Sequence, residues 1–116
     1  FYHRPPGGES WCDVFLRVRS FIDWLSFEHA GKRVLVVAHQ VVVLGFRYVL
    51  ERMTEGEILA VDREGDVANC AVTTFALGRA SNGRSVLALR SYNTVAPVVE
   101  AGEAVTRRAD VPSAPR

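Results

Sequence analysis

The amino-acid sequence predicts an α/β fold with a mostly parallel central sheet, helices on both faces, and an antiparallel hairpin toward one side. Three observations carry that expectation. The run Val34-Leu35-Val36-Val37 shows no alternation of polar and apolar positions and is dominated by β-branched residues, which reads as a strand covered on both faces. Helical patterns lie on either side of it, giving the alternation of helix and strand that layered α/β folds show. Two strand-like runs near the C-terminus are separated by a loop containing Asn82-Gly83, a turn-forming dipeptide of hairpins.

Residues 1–8 are an extended, turn-prone lead-in, because Pro5 and Pro6 forbid helix and Gly7-Gly8 admit backbone angles closed to other residues. From Ser10 to about Glu28, Trp11, Val14, Phe15, Val18, Phe21, Ile22 and Leu25 recur at helical spacing, so this is a surface helix with one buried stripe, stopped by Gly31. Arg33 to Ala38 is the expected buried strand. The segment from about Gln40 to Met53 is apolar on nearly all sides until Arg47, Glu51 and Arg52, a helix whose start is buried. Thr54 and Glu57 have the spacing of a capping box and open a short helix through about Val61, followed by an acidic turn from Asp62 to Asp66. Cys70–Leu77 and Val86–Ser91 form the hairpin. Residues 1–95 are read as one domain portion and 96–116 as a C-terminal extension, with little core contributed from about Thr106.

The 116 residues are 48% hydrophobic and 23% charged, the composition of a globular domain near the lower end of what a single core supports. A net charge of +1 supplies no clustered cation for nucleic acid or a membrane surface, so neither is expected as a partner. Trp11, Trp24 and Phe46 are read as core, since no basic surface accompanies them. The stretch Val34 to Gly45 is too short to span a bilayer. Cys12 and Cys70 fit no metal-ligand spacing, and no metal or organic cofactor is expected; a reduced, cytoplasmic protein is the default.

The chemistry points to two loops that each open a helix, Gly7-Gly8-Glu9-Ser10 and Val37-Ala38-His39-Gln40. Ligands of open α/β sheets sit beyond the carboxyl ends of strands, where helix amino termini offer N–H groups and positive partial charge. A histidine there can donate to, or exchange a proton with, a phosphoryl oxygen near neutral pH. A carboxylate at a helix start is favoured in its ionised form by the dipole, but a phosphate bound beside it reverses that balance and would let Glu9 carry a proton to a leaving alcohol.

Arg4-Pro5-Pro6-Gly7-Gly8-Glu9-Ser10-Trp11-Cys12-Asp13, Val34 to Gln40, Asn69-Cys70-Ala71-Val72-Thr73 and Ser91-Tyr92-Asn93 resemble, in this order, the C-terminal part of the histidine phosphatase superfamily, the phosphoglycerate mutase-like group. The resemblance implies an incomplete phosphoglycerate mutase-like fold over about residues 1–95. It also implies that Glu9 is the proton donor and His39 the second histidine of the phosphate pocket. Gln40, Arg4 and Asn69 are expected to contact substrate. The family's nucleophile, a histidine within Arg-His-Gly on the first strand, has no counterpart here; His3 is followed by Arg4 and is read as a surface or packing residue. Gln40 stands where much of the family has Gly. A His-Gln pair resembles the fructose-2,6-bisphosphatase branch, but Leu44 occupies the place of that branch's arginine, which argues against the same sugar.

The expected function is therefore a phosphomonoester hydrolase acting on a small phosphorylated metabolite through a phosphohistidine intermediate, with this chain supplying the acid and the second histidine but not the nucleophile. A phosphoglycerate mutase-type phosphotransferase is the near alternative. The alternative from another class is a non-catalytic module that binds a phosphorylated ligand or a protein. His29 is read as a cation at a helix carboxyl terminus, and Asp13 with Arg17 as an i, i+4 pair on a solvated face. A doubly apolar strand without its neighbours has open edges, so a second copy or the missing N-terminal segment is expected as partner.

Overall fold

The computed structural model describes residues 1–107. The chain forms two compact units, Phe1–Gly65 and the part from Asp66 onward. The first contains α1 (Trp11–Glu28), α2 (Gln40–Leu50) and α3 (Glu55–Glu64); the second contains β1 (Val72–Arg79), β2 (Ser85–Thr94) and the short α4 (Ala96–Glu100).

In the first unit, α1 packs on α2 and α2 on α3. The apolar stripe of α1 buries Phe15, Val18 and Ile22, and Leu44 of α2 and Ile58 of α3 are fully enclosed. The stripe spacing of three and four residues is what lets one face of α1 supply all three. Around Phe15 the rings of Tyr48, Phe1 and Trp11 gather at centroid distances of 4.9, 5.6 and 5.7 Å, so the lead-in is held to the helices by aromatic packing. Gly45 sets how closely α1 and α2 approach: a β-carbon there would lie 2.9 Å from a ring carbon of Phe15 and 3.1 Å from a methyl of Val18.

Helix ends follow the local chemistry. Ser10 caps α1 and Thr54 caps α3, each through a complete capping box with Asp13 and Glu57 respectively. α3 runs to Glu64, so Asp62 to Glu64 lie in its last turn and not in the acidic turn expected from composition; Gly65, at φ 154°, ends it. α2 stops at Leu50, and Arg52 follows in the left-handed region at φ 55°. The Met53 N–H reaches back to the Tyr48 carbonyl at 3.0 Å, a wrap that satisfies a carbonyl at the helix end.

The second unit is the expected hairpin. β1 and β2 pair antiparallel with Leu77 opposite Leu87 and Arg79 opposite Ser85, and register shifts fall at Val72/Thr74 and Thr74/Phe75. In the turn, Gly83 has φ 80° and its N–H donates to Ala80, while the Asn82 side chain accepts from the Arg84 N–H at 3.0 Å. Asn93 ties the preceding loop to β2, accepting from the Ala68 N–H at 2.8 Å and donating to the Asp66 carbonyl at 3.1 Å. α4 lies at the start of the stretch 96–116 that the sequence presents as a C-terminal extension, and no helix is expected there from sequence. Residues 108–116, the end of the expected tail, lie outside the described residues.

The main correction concerns the sheet. Among the described residues the one sheet is this two-stranded antiparallel pair, and a parallel central sheet is not shown. Arg33–Ala38 is not in a ladder, and its apolar side chains are exposed by 49% at Val34, 88% at Leu35, 40% at Val36 and 92% at Val37. The physical reason is that a central strand is completed by neighbours along both edges, and none of the described residues supplies one. The alternation of exposure still has the period of a strand: Val34 and Val36 are partly shaded, Leu35 and Val37 open. Trp24, expected in the core, is half exposed and lines a groove of about 520 Å³ together with Phe21, Leu25, His29 and residues 33–37.

The contact at Gly45 gives opposing expectations that magnitude decides. Alanine is a better helix former by about 1 kcal/mol, but overpacking a filled core costs about 1–3 kcal/mol, and the ring it meets belongs to the buried Phe15. Gly45→Ala should therefore lower the unfolding free energy in a urea titration, and Leu44→Ala should lower it by about 2–5 kcal/mol. An unchanged or raised midpoint for Gly45→Ala would show that α1 and α2 can separate without loss.

Candidate active site

The Glu9 loop is shaped by its sequence. The Gly8 N–H donates to the Pro5 carbonyl at 2.9 Å, and Gly7 has φ 71°. A type II turn over Pro5-Pro6-Gly7-Gly8 places proline at its second position and needs positive φ at its third, so Gly7 is required there. The turn delivers Glu9 immediately before Ser10, the N-cap of α1.

Two helical side chains reach back to hold this loop. Asp13 accepts from the Ser10 N–H at 2.8 Å and the Ser10 hydroxyl at 2.7 Å, and receives the Arg4 guanidinium through Nε at 2.9 Å and Nη2 at 2.5 Å. One turn on, Arg17 donates Nε to Glu9 Oε1 at 2.8 Å and Nη2 to Glu9 Oε2 at 2.5 Å. The i, i+4 pair expected between Asp13 and Arg17 is thus replaced by two forked pairs, each joining one helical residue to one loop residue. A planar fork onto a carboxylate fixes orientation as well as contact, which the flexible pairing along a helix face does not.

The electrostatics follow from these bonds. The Arg4 guanidinium, then the Ser10 hydroxyl and N–H, hold the Asp13 carboxyl well below the usual carboxylate range. Arg4 is raised, by its bond to Asp13 first and with a smaller contribution from Glu9. Arg17 is raised by its bond to Glu9. Farther along the lead-in, Tyr2 donates to Glu55, and that bond pushes the phenol up to about 12.

His39 occupies the N-cap of α2 with extended backbone, φ −84° and ψ 164°, and its side chain makes no capping hydrogen bond. The carbonyl of His39 accepts from Val42 and Val43 at 3.0 and 3.2 Å, so the backbone is engaged and the exposed imidazole is left for other work. Gln40 follows as the first residue of α2, and its Nε2 donates to Asp62 of α3 at 3.1 Å. Residues 33–37 share a groove with Phe21, Trp24, Leu25 and His29, running back from the end of α1.

Of the five residues singled out from sequence, four lie in the first unit, and no direct bond joins Glu9 to His39 there. Asn69 belongs to the second unit, where its amide donates to the Thr106 carbonyl at 3.1 Å and hydroxyl at 2.8 Å. His29 caps the end of α1, its N–H donating to Leu25 at 2.9 Å and its ring lying 4.9 Å from that of Trp24. His3 is exposed. The residue that sequence reasoning missed is Arg17, whose partner was sought along its own helix. Among the described residues, no group of three or more His, Cys, Asp or Glu side chains could hold a metal ion, and no helix is long and apolar enough to cross a membrane.

With this geometry in view, the family profile described as histidine phosphatase superfamily (branch 1) matches residues 1–91. The chain belongs to the histidine phosphatase superfamily. The match runs through the Glu9 loop, the His39 turn and most of the hairpin, and membership of this superfamily suggests phosphatase or mutase-type activity. No curated protein and no solved structure matches the chain.

The Asp13 network makes a prediction about acid. Its carboxyl is depressed in the folded state, so its contribution is fully present above the unfolded value of about 3.9 and is lost as pH falls through the folded value. Urea midpoints of the native chain and Asp13→Asn should differ by a constant amount from pH 8 down to about 5 and converge toward pH 2. A gap that stayed constant to the lowest pH would mean that the bonds to Arg4 and Ser10 do not stabilise the fold.

Proposed function

We propose that this protein is a phosphomonoester hydrolase of the histidine phosphatase superfamily, in which Glu9 is the general acid and His39 a donor to the transferring phosphoryl group. The observation that carries this reading is the pair of helix starts within the matched region. Glu9 directly precedes the capped start of α1, and His39 forms the N-cap of α2 with an imidazole that caps nothing. Helix amino termini favour anions, and a histidine so placed adds a donor aimed at phosphoryl oxygens.

In this reading the acid gives its proton to the leaving oxygen while His39 stabilises charge on the phosphoryl group. The chain is the C-terminal part of the catalytic domain, and the nucleophilic histidine is supplied by a segment outside these 116 residues, forming the phosphohistidine. Gln40 and Arg4 lie beside the two loops and are proposed substrate contacts, as is Asn69; a small phosphorylated metabolite is the proposed substrate. The open edges of residues 33–38 fit the same arrangement, because a strand from that segment, or from a second copy, would supply the ladder they lack. Light scattering on the isolated chain should then return a mass above 12.8 kDa; a monomer with cooperative unfolding would count against this pairing.

Two activity experiments test the assignment of roles. The isolated chain should hydrolyse an aryl phosphate no faster than background, and robust turnover abolished by His39→Ala would place the nucleophile within it. In protein that includes the nucleophile segment, Glu9→Gln should slow alkyl phosphates by about 10²–10⁴-fold and aryl phosphates much less, since only alkoxide leaving groups need a proton. His39→Ala should slow both. Equal losses for the two substrate types in Glu9→Gln would remove Glu9 from the acid role.

A further inference from the structure

We propose that Arg17 couples the arrival of a phosphate to the protonation of Glu9, so that substrate binding itself loads the acid; this inference rests on the phosphatase reading above. The starting point is that a carboxylate held by a guanidinium fork is in the wrong state to donate a proton. Arg17 places Nε on one Glu9 oxygen and Nη2 on the other, so both oxygens serve as acceptors. A protonated carboxyl carries a hydrogen on one of them and cannot accept the fork at both positions. Protonation of Glu9 and full pairing with Arg17 therefore exclude each other.

The guanidinium stays charged throughout, so when it leaves Glu9 it needs another anion. A phosphate offers the same two-oxygen geometry with more charge, and Arg is suited to it for that reason. The pair is on the surface, with both side chains exposed, and exposed pairs of this kind are weak, which makes exchange easy. Arg4 is the other cation facing Glu9, but its fork is taken by Asp13. That carboxylate also holds Ser10 at the helix cap, so drawing Arg4 away would disturb the loop. Arg17 can change partner without loosening the cap.

The proton balance is simple. As the anion takes Arg17, Glu9 gains a proton from solvent. That proton passes to the leaving-group oxygen as its bond to phosphorus breaks and the nucleophilic histidine of the proposed segment bonds to phosphorus in its place. Water then cleaves that P–N bond, its proton passing through the Glu9 carboxylate to solvent, and the carboxylate takes Arg17 back when the inorganic phosphate departs. Because linkage is reciprocal, the factor by which the anion at Arg17 favours protonation of Glu9 equals the factor by which that protonation favours the anion. Arg17 is thus a positioning residue for the acid and an anion contact in its own right.

The test is a titration of the 116-residue chain with inorganic phosphate at pH 7, read by NMR at the Arg17 Nε–H, the Glu9 carboxyl carbon and the His39 ring. The proposal expects a saturable shift at Arg17 accompanied by one at Glu9. Glu9→Gln should bind phosphate a few-fold more tightly, up to about fivefold, Arg17→Ala should lose most of the binding, and Arg17→Lys should restore part of it. Both sites are exposed, so these variants should fold, and retained chemical-shift dispersion would check that. Phosphate shifts at His39 with none at Arg17, or equal affinity in Glu9→Gln and the native chain, would overturn the role of Arg17 and leave the phosphatase reading standing. No phosphate response at any of the three positions would overturn both.

Discussion

The capped start of α1 is the constraint on which the candidate site depends. A helix begins with N–H groups that have no partner in the helix, and here Ser10 and Asp13 satisfy two of them while Asp13 also receives Arg4. The same carboxylate therefore ends one problem, the helix start, and solves another, the path of the chain leading into it. The turn at Gly7 needs positive φ, and Phe1 is anchored through the rings of Phe15 and Tyr48. Glu9 is thereby carried on a loop fixed at both ends.

The second helix start is held by different means. Nothing from the His39 side chain supports α2. Its position comes from the close approach of α1 and α2 at Gly45 and from the bond between Gln40 and Asp62 of α3. This division leaves the imidazole uncommitted, whereas the Glu9 carboxylate is bound to Arg17. One side chain is thus uncommitted at its helix start and the other is restrained by a guanidinium fork.

Residues 33–38 show how far local sequence can carry a strand. Backbone preference is enough to extend it, and the alternating exposure of its side chains is that of a strand. It does not make a sheet, because ladder bonds are made between segments and not within one. The hairpin succeeds where this segment does not, since β1 and β2 are joined by a short turn with Gly83 at positive φ and bring their own partner. The absence of polar alternation in Val34 to Val37 predicts burial, and the structure instead leaves these side chains exposed by 40 to 92%.

The sequence by itself determined the three helices of the first unit, the caps of α1 and α3, the hairpin and the two loops of the candidate site. Each of these is encoded over a few residues: the stripe of Phe15, Val18 and Ile22, the Ser10-Asp13 and Thr54-Glu57 spacings, the Asn82-Gly83 turn, the glycines before Glu9. Boundaries moved where local signals competed, as when the acidic run Asp62 to Glu64 continued α3 instead of ending it. What only the tertiary structure decided is which side chain each charged residue takes as partner. Arg17 could pair with Asp13 on its own helix or with Glu9 on the loop, and Asp13 with Arg17 or with Arg4; sequence spacing permits every combination. The turn at Pro5–Gly8 folds the lead-in back over the first turns of α1 and puts Arg4 and Glu9 within reach of the forks and carboxylate that bind them. Distances of a few ångströms in space, between residues eight and nine apart in the chain, are set by that path and not by any periodicity along it.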